Sequence, residues 1–345
     1  MRVAALVGPK QFRLEEAAID RPGPGEVQIA VRSVGICGSD VHAYAEGAVG
    51  DMTCVYPMVL GHEPTGVVVE VGAGVSGWAK GDPAALEPAH YCYHCALCLR
   101  GRHNLCSRLR FLSTVGEPGF FRDRVNLPVS NLLALPASLS LTHGTMVEPL
   151  SVVLHSLALA RPVFGERALV IGAGPIGLLT IAALKRSGVT RVTAVEPLAH
   201  RQALARALGA DAAIFGAPED LRRELAHDSG GMGVDLVFDC ATKGTHDLAL
   251  QAAASGGRVV FTGIPSELRV PFDVHLWRRK ELAVHQVRRS NHEGHAALAM
   301  LEREPQFFAP LITHERPLEA IGAAFAQVES YGDGVGKLVV QVGGA

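Results

Sequence analysis

From about residue 167 the chain alternates short apolar runs with helix-length stretches. The runs at 168–171, 191–196, 212–215, 234–240 and 258–262 have the length and β-branched content of buried strands, and 175–187 and 199–208 between them read as helices. This alternation predicts βαβ units in a doubly wound parallel sheet. A further apolar run at 282–287 is its candidate last strand. The first ~150 residues carry a different pattern, with shorter β-like runs such as 27–31 and 66–71 bounded by glycine and proline, which predicts a mostly β domain with an irregular surface. The closing KLVVQV is one more strand, expected to return to the first domain. The chain is therefore read as α/β, divided into 1–150, 151–287 and 288–345.

A length of 345 residues suits two ordinary domains, each large enough to bury a core. With 48% hydrophobic and 19% charged residues it is a packed globular chain and not a disordered one. The formal net charge is −2 and no basic block is present, so neither nucleic acid nor a membrane surface is an expected partner. The longest apolar run, 168–184, is shorter than the ~20 residues that span a bilayer and is broken by glycines and a proline. The first 16 residues lack a signal peptide's apolar core. Seven cysteines in such a chain fit a reducing cytoplasm, where thiols serve metals more often than disulfides.

Four of those cysteines form Cys92-x2-Cys95-x2-Cys98-x7-Cys106, within a lobe at about 88–108. A Cys-x2-Cys turn points two sulfurs to one side, and a second pair reached by a short loop completes a tetrahedron for structural zinc. Arg100, Arg102 and backbone amides are expected to offset the thiolate charge. The ferredoxin-type iron–sulfur run has a shorter last gap followed by proline, and neither feature is here. A nucleic-acid-binding zinc ribbon would need a basic surface. Cys54 and Cys240 are read as buried thiols.

A second constellation, Gly172-Ala173-Gly174-Pro175-Ile176-Gly177, lies between a strand and a helix. Its glycines permit a tight turn, close approach of a pyrophosphate and helix-on-sheet packing, while the helix N-terminus offers free N–H groups. Glu196 ends the next strand, close to the ~20-residue spacing at which an acid binds the ribose 2′-hydroxyl. Its charge would repel a 2′-phosphate and so favours NAD over NADP, with nearby Arg201 acting the other way.

The third constellation is scattered: Cys37 in GICGSDVH, His62 and Glu63 in LGHEPTG, and Glu148 in VEPLSVVLH. A thiolate, an imidazole and a carboxylate suit a catalytic zinc with one open position. Spacing alone does not bring them together.

Taken together these blocks resemble the zinc-containing medium-chain dehydrogenases, and most closely their sorbitol/xylitol (polyol) branch. The likeness runs through GICGSDVH, GHEPTG, GDPAALEP, the four-cysteine lobe, EPLSVVLH and GAGPIG to PLITHERPLEAIGAAF. It implies a GroES-like catalytic domain, split in sequence around a Rossmann domain, with the active site between them. It also implies two Zn2+ per chain, one catalytic and one structural, with NAD as cofactor. Cys37 and His62 are then fixed ligands of the catalytic zinc, with Glu63 or Glu148 completing the protein's share. Ser39 matches the proton-relay hydroxyl; in the expected mechanism the proton leaves through Ser39, the cofactor ribose and His42, with a structural histidine as the alternative reading of His42. Glu196 and Arg201 match adenosine-ribose contacts, and Ile176 a residue packing near the cofactor. Thr262, Gly263 and Ile264 match the loop under the nicotinamide, and Gln286, Val287 and Arg288 a late strand end touching cofactor and substrate.

Two positions depart from the sorbitol pattern. Ala43 replaces a tyrosine, leaving Tyr44 one place on as the nearest aromatic candidate for substrate contact, and Arg288-Arg289 replaces an Arg-Tyr pair. The substrate face expected from the resemblance is thus Tyr44, Glu148, Arg288 and Arg289. The implied reaction is oxidation of a polyol's secondary alcohol to a ketose by hydride transfer to NAD. The alternatives are an anionic sugar alcohol (an aldonate or polyol phosphate) or another small secondary alcohol. A zinc-free quinone reductase and a non-catalytic dinucleotide-binding protein on the same fold are rival readings. The family resemblance further implies a homodimer or homotetramer.

Overall fold

In the computed structural model, residues 1–216, 221, 223–225, 230–241 and 244–343 are described. The chain forms two units, Met1–Glu148 with Asn291–Ala345, and Pro149–Ser290, against divisions expected after 150 and 287.

In the first unit the strand Glu26–Gly35 is central because Val27, Ile29, Val31 and Val34 are all buried and apolar. Its inward-facing polar side chains are satisfied: Gln28 donates to the Asp20 carbonyl at 3.1 Å and Ser33 to Gln341 at 2.8 Å. Around it a seven-stranded sheet runs Leu132–Ala134, Pro83–Leu86, Glu63–Val71, Glu26–Gly35, Lys337–Gln341, Ile312–Pro317, with Arg124–Pro128 also paired to Glu26–Gly35. The closing strand does return: Val339 pairs with Gly35 and Val340 with Val34 in antiparallel register. Beside the sheet, Phe120, Phe121 and Phe325 are fully buried, and each such side chain contributes roughly 1.5–3 kcal/mol by leaving water.

The second unit holds a six-stranded, wholly parallel sheet. Its order is Ala212–Ile214, Arg191–Val195, Arg167–Ile171, Val234–Asp239, Ala253–Phe261, Ala283–Gln286. In chain order this is 3-2-1-4-5-6, the dinucleotide-binding arrangement whose order reverses beside the first strand. The central strands are mostly apolar and buried, as expected of a parallel sheet covered on its faces, while the last, Ala283–Gln286, is half-exposed. The helix Pro175–Arg186 is accordingly buried along nearly its whole length, from Gly177 to Leu184. Proline opens it where no intrahelical N–H is needed, and Lys185 and Arg186 stand in its last turn, where cations favour the helix dipole. Among the described residues no helix is long and apolar enough to cross a membrane.

Candidate metal and dinucleotide sites

Cys37 caps the helix Gly38–Glu46, and Asp40 at its third position accepts the Cys37 N–H at 3.2 Å. His62 and Glu63 enter the strand Glu63–Val71 through Gly61, which sits at φ +91°, where an added Cβ would lie 2.9 Å from the Phe121 ring and Val34. Only glycine makes that turn without strain. The result gathers the ligand atoms of Cys37, His62 and Glu63 within 4.8 Å of one another, with His62 and Glu63 buried.

His62 and Glu63 are each oriented by a further group. His62 Nδ1 lies 3.3 Å from Asp40 Oδ1. A proton held on Nδ1 by that carboxylate leaves Nε2 as the metal-binding nitrogen. Burial alone would raise the Asp40 carboxyl, but His62 and the amides of Cys37 and Gly61 outweigh it and hold it below the usual carboxylate range. Burial likewise opposes protonation of His62, yet Asp40 and Cys37 push its pKa well above the ordinary imidazole value. Surroundings anionic enough to do that suit a bound cation. Glu63 is paired with Lys337, both about 1% exposed, and Lys337 Nζ also donates to the Ile36 carbonyl at 2.9 Å. The pair needs Gly35: a Cβ there would stand 2.1 Å from Glu63 Oε2 and 2.8 Å from Lys337 Cε.

Glu148, at the start of the helix Val147–Ala160, does not join the Cys37–His62–Glu63 group. It keeps partial exposure, but desolvation pushes its carboxyl up to about 8; Glu63 and Glu87 add to the rise, while His62 and Lys337 oppose it. Ser39 donates to Cys37 Sγ at 3.4 Å, and His42 Nδ1 lies 3.1 Å from Glu46 on the same helix. Tyr44 is a correction. Expected at the substrate, it is 4% exposed in the core, its ring 5.8 Å from Phe12 and 5.1 Å from Phe325. One residue after Ala43 on a helix turns a side chain by about 100°, so the tyrosine does not replace the one missing at 43.

The sulfurs of Cys92, Cys95, Cys98 and Cys106 also lie within 4.8 Å of one another. Backbone amides point at them: Cys95 N–H to Cys92 Sγ at 3.4 Å, Cys98 N–H to Cys95 Sγ at 3.5 Å, Cys92 N–H and Arg108 N–H to Cys106 Sγ at 3.4 Å each. The amides of Cys98 and Ser107 bring Cys95 down to about 5, which favours the thiolate that a metal requires. Arg100 and Arg102, expected to offset the charge, are exposed, and the amides take that role. The lobe is fastened by Asn291, whose side chain accepts the His103 N–H at 2.9 Å and donates to the Gly101 carbonyl at 2.8 Å. Cys54 and Cys240 are only half-buried, correcting the expectation of core thiols.

In the second unit Gly172 has φ +85°, and a Cβ on Gly177 would fall 1.8 Å from the Gly172 carbonyl oxygen, so the loop tolerates neither side chain. At Gly174, which caps the helix, the only atom near an added Cβ among the described residues is an Arg201 nitrogen at 3.8 Å. That open approach to a helix N-terminus fits a pyrophosphate. Glu196 is 3% exposed and accepts the Ala173 N–H at 2.8 Å and the Leu198 N–H at 2.9 Å, so its carboxylate is fixed against the glycine loop. Arg201 is buried, and Ile176 is half-buried in the helix's first turn. The Thr262 and Gly263 amides donate to the Asp239 carbonyl at 2.9 and 3.1 Å, and a Cβ on Gly263 would meet the Ala241 oxygen at 1.7 Å. Ile264 beyond them is exposed. Gln286 ends the last strand, paired with Phe261, and Val287 N–H donates to the Phe261 carbonyl at 3.0 Å just beyond it. Arg288 is exposed, while Arg289 is half-buried at φ +54°.

Asp40 and Lys337, which touch His62 and Glu63, and Ser113, whose hydroxyl donates to Asp40 Oδ1 at 3.0 Å, were missed in the sequence. Asp40 was detectable as an acid at the third position of a helix that starts at Cys37. Lys337 was detectable as a cation opening an otherwise apolar strand.

Residues 23–137 match the alcohol dehydrogenase GroES-like domain family, and residues 175–303 the zinc-binding dehydrogenase family. L-idonate 5-dehydrogenase of Vitis vinifera is 35% identical over 90% of this chain and 86% of its own length. Sorbitol dehydrogenase of Bos taurus is 35% identical over 92% of this chain and 90% of its own. An alcohol dehydrogenase of Escherichia coli CFT073, crystallised with NADH, superposes with a TM-score of 0.89 at 28% identity, over 99% of each chain. The chain thus belongs to the zinc-containing medium-chain alcohol dehydrogenases, in their polyol dehydrogenase branch, and is an oxidoreductase of sugar alcohols that works with zinc and a nicotinamide cofactor.

Proposed function

We propose that the protein oxidises a secondary alcohol of a polyol to a ketose, using NAD, one zinc at Cys37, His62 and Glu63, and a second zinc in the four-cysteine lobe. The observation that carries this reading is the convergence of a thiolate, an imidazole and a carboxylate from separate segments, with Asp40 setting the histidine tautomer. Zinc bound there supplies Lewis acidity that makes an alcohol's hydroxyl easier to deprotonate at neutral pH. Glu148, whose carboxyl is raised by desolvation, is our candidate to exchange with Glu63 or to meet the substrate, as the family resemblance implies. The proton's proposed exit runs along one helix. Ser39 and His42 are three residues apart and His42 and Glu46 four apart, so the three side chains share one face running from Cys37 to exposed Glu46. An intact ligand set and relay favour an enzyme over a non-catalytic dinucleotide-binding protein and over a zinc-free reductase.

NAD is favoured because Glu196 is fixed as an acceptor at the mouth of the glycine loop, where a 2′-phosphate would meet its charge. A homo-oligomer in the cytoplasm, with all seven cysteines reduced, completes the reading. For the substrate, named relatives act on both a sugar acid (L-idonate) and a neutral polyol (sorbitol). Arg289 is the residue that would separate them, since its guanidinium matches carboxylate or phosphate oxygens.

The test is NAD and NADP reduction over a panel of polyols, aldonates, polyol phosphates and simple alcohols. NAD-linked activity concentrated on polyols supports the proposal; equal efficiency with NADP, or activity confined to simple alcohols, contradicts it. In the same assay Arg289→Tyr should shift kcat/KM from anionic toward neutral substrates, and an unchanged ratio places Arg289 outside substrate recognition.

A further inference from the structure

Ser113 lies in a conformation that packing does not explain. Its φ is +88°, in the left-handed region that side-chain-bearing residues rarely adopt, and it is 9% exposed. The backbone is held there from both sides: Leu112 N–H donates to the Pro88 carbonyl at 3.0 Å, Ser113 N–H to Glu117 O at 2.8 Å, and Glu117 N–H to Thr114 O at 2.9 Å. Glycine would take this conformation freely. What serine adds is a hydroxyl, and that hydroxyl donates to Asp40 Oδ1 at 3.0 Å.

Asp40 Oδ1 is the oxygen facing His62 Nδ1 at 3.3 Å, and it also accepts the Gly61 N–H at 3.3 Å; Oδ2 accepts the Cys37 N–H at 3.2 Å. A carboxylate offers about four lone-pair sites. Three hydrogen-bond donors and the facing His62 ring, four groups from three segments of the chain, therefore hold its orientation. Two of them are the residues on either side of the metal position, the Cys37 amide and the His62 ring. Without the Ser113 hydroxyl, Oδ1 keeps only the Gly61 N–H and the carboxylate is held less firmly toward His62.

We propose that Ser113 is a positioning residue for the Cys37–His62–Glu63 metal site, acting through Asp40. This rests on reading that site as the catalytic zinc centre. The backbone strain at 113 is kept because the position that fixes Asp40 requires both a left-handed turn and a hydroxyl.

The test compares zinc binding in wild type, Ser113→Gly, Ser113→Ala, Asp40→Asn and Ser113→Gly/Asp40→Asn. Zinc-loaded protein is titrated with a chromophoric chelator, with the zinc of the four-cysteine lobe as internal reference, and unfolding is followed in parallel. Removing a group that orients a ligand costs metal affinity about 10–100-fold. Ser113→Gly should therefore weaken the Cys37–His62–Glu63 site about tenfold while leaving the lobe zinc unchanged and the fold no less stable, since glycine relieves the strain. Ser113→Ala should show the same zinc loss with the strain retained. The double variant should bind no more weakly than Asp40→Asn alone, because both act along one path. Zinc affinity unchanged in Ser113→Gly, or losses that simply add in the double variant, would overturn the inference and leave the zinc reading intact. Zinc found only in the lobe of the wild type would overturn both.

Discussion

Lys337 donates to the carbonyl of Ile36, 301 positions away, and neutralises Glu63 in a place where neither side chain meets water. No local pattern in the sequence announces such a meeting, and the same holds for Ser113 and Asp40, which are 73 residues apart. Glycines were easier to read, because Gly61, Gly172 and Gly177 sit in short motifs whose purpose is steric. Tyr44 was misread because adjacency in sequence to a missing tyrosine was taken as adjacency in space. The Lys337–Glu63 pair has a measurable consequence. Removing one partner of a buried ion pair strands the other and costs about 3–5 kcal/mol. Lys337→Met should lower the unfolding free energy in urea by that amount, and adding Glu63→Gln should restore part of it. A loss below ~1 kcal/mol in the single variant would show that Glu63 already has another way to be satisfied.

At the scale of elements, the parallel sheet was legible because its strands are apolar runs punctuated by glycine turns. The helix Val147–Ala160 was not, since its opening was read only as a ligand block. The four-cysteine lobe was legible from spacing alone, but its fastening by Asn291 was not, because that residue comes from the far side of the inserted unit. Cys98→Ser should therefore unfasten a structural element more than it disturbs chemistry. A thermal midpoint lowered by roughly 5–10 °C is expected, at about 2–4 °C per kcal/mol for domains of this size, with kcat of the folded fraction changed little. Lost turnover at an unchanged midpoint would contradict the structural assignment. A second element-level contact joins the strand Arg2–Gly8 to the turn before Arg124–Pro128: Arg2 donates to Asp123 at 2.9 Å. Burial alone would raise the Asp123 carboxyl, but Arg2 outweighs it and holds it below the usual range. A depressed folded pKa stabilises the fold above the unfolded aspartate value of about 3.9, and that contribution disappears as pH falls through the lower folded value. The pair is partly exposed, so about 1 kcal/mol or less is at stake. Asp123→Asn should cost that at pH 6 and nothing near pH 2; an equal loss at both would show that charge is not what Asp123 contributes.

For the whole molecule, the chain carries two metal-binding groups of different character in one unit. One is four sulfurs wrapped in backbone amides. The other is three unlike donors, two of them, His62 and Glu63, steered by a buried neighbour. A closed thiolate set suits structure and a mixed, incomplete set suits catalysis. Zinc content per folded chain, in protein purified without chelator, tests this division directly. Two zinc ions are expected in the wild type and one in Cys37→Ala, with the fold unchanged. Two in both proteins, or one or none in the wild type, would contradict a catalytic zinc at Cys37, His62 and Glu63.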